Sequence, residues 1–275
     1  MANNKPIQYD HAIFFDNNKS HYDDVKTHCP GIDCILVDET YEQATKVLFE
    51  QKDLATIIDS LTPNTYIEFI KKLHDGDYYD KQAGINQADI RTFYLWEKDT
   101  SKSSKRALLL DWDRTITKIE GFVLFPLSLN INLNDILAYL CGGHERLTMI
   151  RSWLADVNSK NIDIFIVTNN TGCNSLLFHK LVTTLVPTIN LNQIICGMNF
   201  DFHKSLAIMN DPRFIKLGMP FEKIHEIYYP THNNIKFTHK NLDKLINSTL
   251  HNMNAGKRRN TRRRRSKLRK TRRVY

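Results

Sequence analysis

Two carboxylates two residues apart, Asp111 and Asp113, close an apolar run in Leu-Leu-Leu-Asp-Trp-Asp-Arg-Thr-Ile-Thr, residues 108–117. If that run is a buried strand, both acids leave it at its carboxyl end, where open α/β sheets bind their ligands. Carboxylates crowded there repel each other and lose hydration, and a bound cation or a shared proton removes that cost. Oxygen donors of this kind suit a hard divalent ion, so Mg²⁺ is the expected cofactor. One acid can then act as a nucleophile while the other moves the proton, first as general acid and then as base. A polar turn after a strand uses the same residue types, and so short a motif does not decide alone.

Three further stretches have chemistry that would complement these acids. A run at residues 162–167 ends in Thr168-Asn169-Asn170-Thr171-Gly172. A hydroxyl and successive backbone N–H groups there would hold phosphate oxygens at a helix N-terminus; an ordinary helix cap has the same composition. Lys204, in Phe202-His203-Lys204-Ser205-Leu206, follows a run at residues 194–196. It would neutralise the carboxylates, the alternative being an exposed surface lysine. Lys216 and Lys223 are weaker matches. Near the N-terminus, Ala12-Ile13-Phe14-Phe15 leads into Asp16-Asn17-Asn18, again an apolar run that ends in an acid.

Together these motifs resemble the haloacid dehalogenase (HAD) superfamily of aspartate-nucleophile phosphatases, over roughly residues 12–37 and 107–209. The resemblance implies that Asp111 attacks phosphorus and forms an aspartyl-phosphate. It implies that Asp113 protonates the leaving oxygen and later activates water. Thr168, Asn169 and Lys204 would hold the phosphate, and Asp16 would join Asp111 and Asp113 at the metal. The run that should supply the last acid downstream of Lys204, at residues 225–232, ends in Pro230 and Thr231 instead. With Asp16 upstream, the family's motifs would run four, one, two, three, a circular permutation of a kind that domains with neighbouring termini tolerate. In the family's sheet the fourth-motif strand lies beside the first, so Asp16 is expected next to Asp111. Asn17 stands where many members carry a second acid, which implies weaker metal binding unless Asp23 or Asp24 curls back to help.

The elements that must position these residues are five short apolar runs, at residues 12–15, 34–37, 107–110, 162–167 and 194–196. Runs of this length without clean alternation suit strands buried on both faces, as in a parallel sheet. Ser20 with Asp23 and Thr40 with Gln43 have capping spacing. Leu147, Ile150, Leu154 and Val157 form a helical stripe, as do Leu176, Leu177, Leu181 and Leu185. Strands alternating with helices predict an α/β fold with a doubly wound, mostly parallel Rossmann-like (HAD-like) sheet. Residues 41–105 read as a helical insertion ending in a polar linker at 99–105. Residues 118–159 read as a small cap with hinge-like positions at Gly121-Phe122 and Cys141-Gly142-Gly143-His144. Trp96, Trp112 and Trp153 read as packing residues, with Trp112 close enough to the motif to line the site.

The chain has 275 residues, 41% hydrophobic and 25% charged, enough for a sealed core over residues 1–255. Its formal charge of +8 is concentrated in one segment. Twelve of the 38 Lys and Arg lie between Lys257 and Arg273, where there is no acid, and the rest carries 26 basic against 30 acidic residues. The segment 256–275 is expected to be a disordered basic tail that grips a polyanion, nucleic acid above all, without reading its sequence, or that serves as a nuclear-targeting signal. Five cysteines without a Cys-x-x-Cys pair suggest free, mostly buried thiols in a reducing compartment. No signal-like or membrane-spanning stretch is legible, so an intracellular protein, cytoplasmic or nuclear, is expected. The functional expectation is a Mg²⁺-dependent phosphomonoester hydrolase, acting on nucleic-acid ends or nucleotides. The alternative is a catalytically weak or inactive HAD-like protein that binds nucleic acid.

Overall fold

A computed structural model describes residues 7–37, 83–103, 105–118 and 132–230, with single residues at 62, 65 and 68. The chain divides into two units, Met1–Ile224 and His225–Tyr275. The first contains a five-stranded sheet, all of its pairings parallel: β1 (His11–Asp16), β2 (Ile32–Leu36), β3 (Arg106–Leu110), β4 (Ile162–Thr168) and β5 (Ile194–Cys196). This is the α/β, Rossmann-like architecture that the apolar runs predict. The three central strands are buried along nearly their whole length, and Leu108, Leu109 and Leu110 have no measurable exposure. The edge strand β2 is only half-buried, which is why its limits, Ile32–Leu36, are offset from the expected 34–37.

The strand order is β2-β1-β3-β4-β5. The chain therefore winds outward from β1 to one edge, returns to the middle at β3, and winds outward again to the other edge. The reversal falls between β1 and β3, and the crevice beyond their carboxyl ends is the usual place for a ligand in such sheets. Phe15 pairs with Leu110 and Leu110 with Ile166, and the ladder continues as Asp111 N–H donates to Phe15 O at 3.0 Å. Asp16, Asp111 and Thr168 thus leave three neighbouring strands at the same end.

Helices pack against the sheet. Helix α1 (Lys19–His28) packs on β2. Its cap is Asn18, whose side chain accepts from Ser20 N–H at 2.9 Å, and not Ser20. The expected acid of that box, Asp23, pairs with Lys19 on the surface. Helix α2 (Gln87–Asp99) is opened by a capping box between Asn86 and Asp89. It sends Ile90, Phe93 and Trp96 into the core, where Phe93 meets Trp153 edge-on. The last part of the expected insertion is therefore the crossover helix that brings the chain from β2 back to β3. The earlier part, with the Thr40–Gln43 box and the patterns over residues 47–73, lies outside the described residues.

Helix α3 (Leu133–Leu140) and helix α4 (His144–Ser159) follow β3. Leu147, Ile150, Leu154 and Val157 are buried in the core, and α4 packs on β4. The expected cap does not extend over residues 144–159: these form the crossover helix between β3 and β4, and their apolar stripe faces the sheet. The hinge-like Gly121 and Phe122 lie outside the described residues. In helix α5 (Leu176–Leu185) the buried stripe is Leu177, Phe178, Leu181, Val182 and Leu185, while Leu176, expected in it, is exposed. Helix α6 (Lys204–Met209) follows β5 and packs on α1. The run at residues 225–232, compared above with a strand that ends in an acid, begins instead within helix α7 (Phe221–Tyr228). In the second unit the rings of His225 and Tyr229 lie 4.7 Å apart; His232, His239 and the basic segment 256–275 lie outside the described residues.

The cysteine expectation is corrected in one respect. Cys29, Cys34 and Cys141 are free, but Cys173 and Cys196 form a disulfide with a Cα–Cα distance of 6.0 Å. Their separation of 23 residues gives no signal in sequence; only the pairing of β4 with β5 brings the β5 end to the loop after β4. Among the described residues, no helix is long and apolar enough to cross a membrane.

Candidate active site

The parallel ladder delivers Asp16 and Asp111 to adjacent strand ends, and Lys204 joins them. The Lys204 ammonium lies 2.7 Å from Asp16 Oδ2 and 2.7 Å from Asp111 Oδ1. The two acids, 95 positions apart in the chain, therefore share one nitrogen. Lys204 is completely buried, as is Asp16, while Asp111 keeps a small exposure. The surface-lysine alternative is excluded for Lys204, whereas Lys216 and Lys223 are exposed.

One ammonium cannot satisfy two carboxylates equally. Burial works to raise the Asp16 pKa, but Lys204 and His21 outweigh it and hold the carboxyl below the usual range. Asp16 also accepts Asn18 N–H at 2.7 Å. Asp111 has fewer donors: burial, with the nearby Asp16 charge, pushes it to about 6 against the pull of Lys204. For Lys204 burial favours the neutral amine, yet Asp111 and Asp16 prevail and the ammonium is stabilised.

Lys204 owes its place to contacts that the sequence does not advertise. Asp24 accepts Ser205 N–H at 2.9 Å and the Ser205 hydroxyl at 2.6 Å, pinning the first turn of α6 to α1. Asp24 is thus a clamp on the lysine helix and Asp23 a surface partner of Lys19, and neither turns toward Asp16. Asn17, which stands where the resemblance calls for a second acid, has a different bond. Thr115 Oγ1 accepts Asn17 N–H at 3.1 Å and donates to Asn17 Oδ1 at 3.3 Å, lacing the β1 tip to the loop after β3.

That loop is a distorted turn, Trp112–Ile116, with Arg114 at φ 58°. Arg146 of α4 holds it: its guanidinium donates to the carbonyls of Ile116 at 2.6 Å, Cys141 at 2.9 Å, Ile85 at 3.2 Å and Thr115 at 3.3 Å. Gly84, at φ 87°, passes so close to this guanidinium that a Cβ would collide with it. Trp112 does not line an opening; it is buried with its ring edge-on to Phe178.

Asp113 faces the loop after β4. Asn170 Nδ2 donates to its two carboxylate oxygens at 3.2 and 3.1 Å. Thr168 is fully buried and its hydroxyl accepts Asn170 N–H at 3.0 Å. Asn169 turns to the other side, where its Nδ2 donates to Phe202 O at 2.8 Å and meets His21 Nε2 at 2.9 Å. Helix α5 does not begin at this loop: residues 171–175 form an intervening turn, and Ser175 caps it. The dipole contribution expected for the Thr168 loop is weaker at that distance.

Of the expected residues, the structure brings Asp16, Asp111 and Lys204 into contact, and it sets Asp113 and Thr168 around Asn170. Among the described residues, no group of three or more His, Cys, Asp and Glu side chains is arranged to hold a metal. Asp16 and Asp111 supply the oxygen donors that suit Mg²⁺, while Asp113 is engaged by Asn170. Sequence reasoning missed His21, Arg146 and Asn170, and it gave Asp24 a different part, as an aid to the metal instead of a clamp on Ser205. Of the three missed, Asn170 has a visible signal, as the second Asn of the Thr-Asn-Asn-Thr-Gly stretch. Comparison with family models, with curated proteins and with solved structures finds no match for this chain.

Proposed function

We propose that this chain is a Mg²⁺-dependent phosphomonoester hydrolase of HAD type with its motifs permuted. The observation that carries the reading is the convergence of Asp16, Asp111 and Lys204, from three distant parts of the sequence, at the switch point of the sheet. Asp111 attacks phosphorus and the leaving oxygen departs as the Asp111–phosphoryl bond forms, so a single displacement becomes two easier ones. Asp113 delivers the proton to that oxygen, then takes one from the water that cleaves the acyl phosphate. Asn170 aims Asp113, and the distorted turn held by Arg146 sets its distance from Asp111.

Lys204 and the Thr168 hydroxyl stabilise the charge on the equatorial phosphoryl oxygens. Asp16 and Asp111 would hold Mg²⁺, with Asp113 available once its carboxylate leaves Asn170. When bound, the ion supplies the positive charge that one lysine cannot provide to two carboxylates and a phosphate. The phosphorylated substrate class extends to nucleotides and nucleic-acid ends through the twelve cationic residues of the 257–273 segment.

Hydrolysis of an aryl phosphate, measured with and without Mg²⁺, tests the reading. Turnover is expected only with the ion, and Asp111→Asn is expected to lower kcat by at least about a thousandfold. Turnover that survives the substitution would reject Asp111 as nucleophile. An intact chain that binds but never hydrolyses would favour the non-catalytic alternative.

A further inference from the structure

We infer that His21 is a positioning residue that locks the Asn169 loop to Asp16, an inference that rests on the phosphatase reading and assigns a group it leaves idle. His21 lies in the first turn of α1, and its side chain is about three-quarters buried, with 24% exposed. Its two ring nitrogens face different parts of the site: Nε2 is 2.9 Å from Asn169 Nδ2, and Nδ1 is 3.7 Å from Asp16 Oδ2.

The direction of these bonds follows from one neighbour. Asn169 Nδ2 lies 2.8 Å from the Phe202 carbonyl, and a flipped amide would set oxygen against oxygen there. The Asn169 amide therefore donates both to Phe202 O and to His21 Nε2. A ring nitrogen that accepts leaves the proton on the other, so His21 Nδ1–H faces Asp16.

That Nδ1 is buried and has no hydrogen-bond partner, and the same holds for Asn169 Oδ1. A buried polar group left unpaired is costly, so the two together mark an arrangement that a change in the site completes. The required change is small. Lys204 is the nearest cation to Asp16 Oδ2, at 2.7 Å, and an arriving phosphoryl group draws it toward phosphate oxygens. His21 Nδ1–H then closes on Asp16 and keeps the carboxylate in place.

The other end of the ring carries this adjustment to the lysine itself. Asn169 holds the carbonyl of Phe202, two residues before Lys204. Asp201 and Phe202 are successive non-glycine residues with left-handed backbone, at φ 48° and 68°, a conformation that persists only where its surroundings impose it. His21 thus couples the carboxylate at the β1 tip to the strained turn that presents Lys204.

The two arms can be separated by substitution. Asparagine keeps a donor near the Nδ1 position, glutamine keeps an acceptor near Nε2, and alanine removes both. Binding is read without turnover, by thermal-shift titration of the full chain with Mg²⁺ alone and with inorganic phosphate alone. His21→Gln is expected to weaken the Mg²⁺ midpoint by about tenfold and to leave the phosphate midpoint in place. His21→Asn is expected to do the reverse, and His21→Ala to weaken both. Midpoints that stay put in all three variants, or that move together in all three with a lower melting temperature, overturn the inference. An unsubstituted chain indifferent to both probes overturns it as well. The phosphatase reading fails by a different result, turnover that survives Asp111→Asn.

Discussion

Lys204→Met is expected to destabilise the folded chain by about 3–5 kcal/mol, the range for breaking a buried ion pair from one side. The methionine fills the channel of the lysine stem, so lost volume is not the cause. What remains is Asp16, without any exposure, facing Asp111 across the space the ammonium occupied. Two carboxylates in that position cannot both stay ionised without a cation between them. The loss should be greatest above neutral pH and should shrink in acid, where Asp111 takes up a proton first. Denaturant midpoints at several pH values read it directly. A loss under about 1 kcal/mol, the worth of an exposed pair, would mean that the lysine is a surface residue in solution.

Asp111→Asn is expected to change the pH dependence of stability in magnesium-free buffer, and in the opposite direction. An unfolded aspartate titrates near about 3.9, and in the folded chain burial, reinforced by Asp16, raises Asp111 to about 6. Between those values the folded state holds a proton that the unfolded state has lost. Stability contributed by Asp111 is therefore fully present below about pH 4 and declines as pH rises through about 6. The total change is about 2–3 kcal/mol at about 1.4 kcal/mol per pKa unit. Asparagine carries no such proton, so the variant should gain on the unsubstituted chain by that amount between about pH 4 and 7. Asp16, held below its usual range, contributes with the opposite sign, lost only as pH falls through its lowered folded value. A stability difference between variant and unsubstituted chain that is flat with pH would show that Asp111 is not desolvated.

The central sheet was legible because burial on both faces leaves a continuous apolar run, and β1, β3 and β4 each lead into a polar residue of the candidate site. Asp16, Asp111, Asp113 and Thr168 could be located for that reason: a strand end is a local pattern. Residues whose role lies in joining distant segments leave no such pattern. Arg146 reads as one charge in an amphipathic helix, yet it collects four carbonyls from the turn, the end of α3 and the segment before α2. Asp24 reads as an acid that could curl back to the metal, yet it clamps Ser205, 181 positions away. The first cap was misplaced by two residues because Asn18 and Ser20 have the same capping chemistry, and only the extended backbone of Asn18 distinguishes them. Residues 144–159 lie between motifs one and two, where the resemblance implies a cap, but their apolar stripe packs on the sheet.

The most direct measurement of the central claim is an acid quench of the full chain mixed with an aryl phosphate and Mg²⁺, followed by mass spectrometry of its peptides. The account predicts one added phosphoryl group, on Asp111, that disappears with alkali and is missing from Asp111→Asn. A phosphoryl group on another residue, or turnover with no labelled peptide at any quench time, would contradict it.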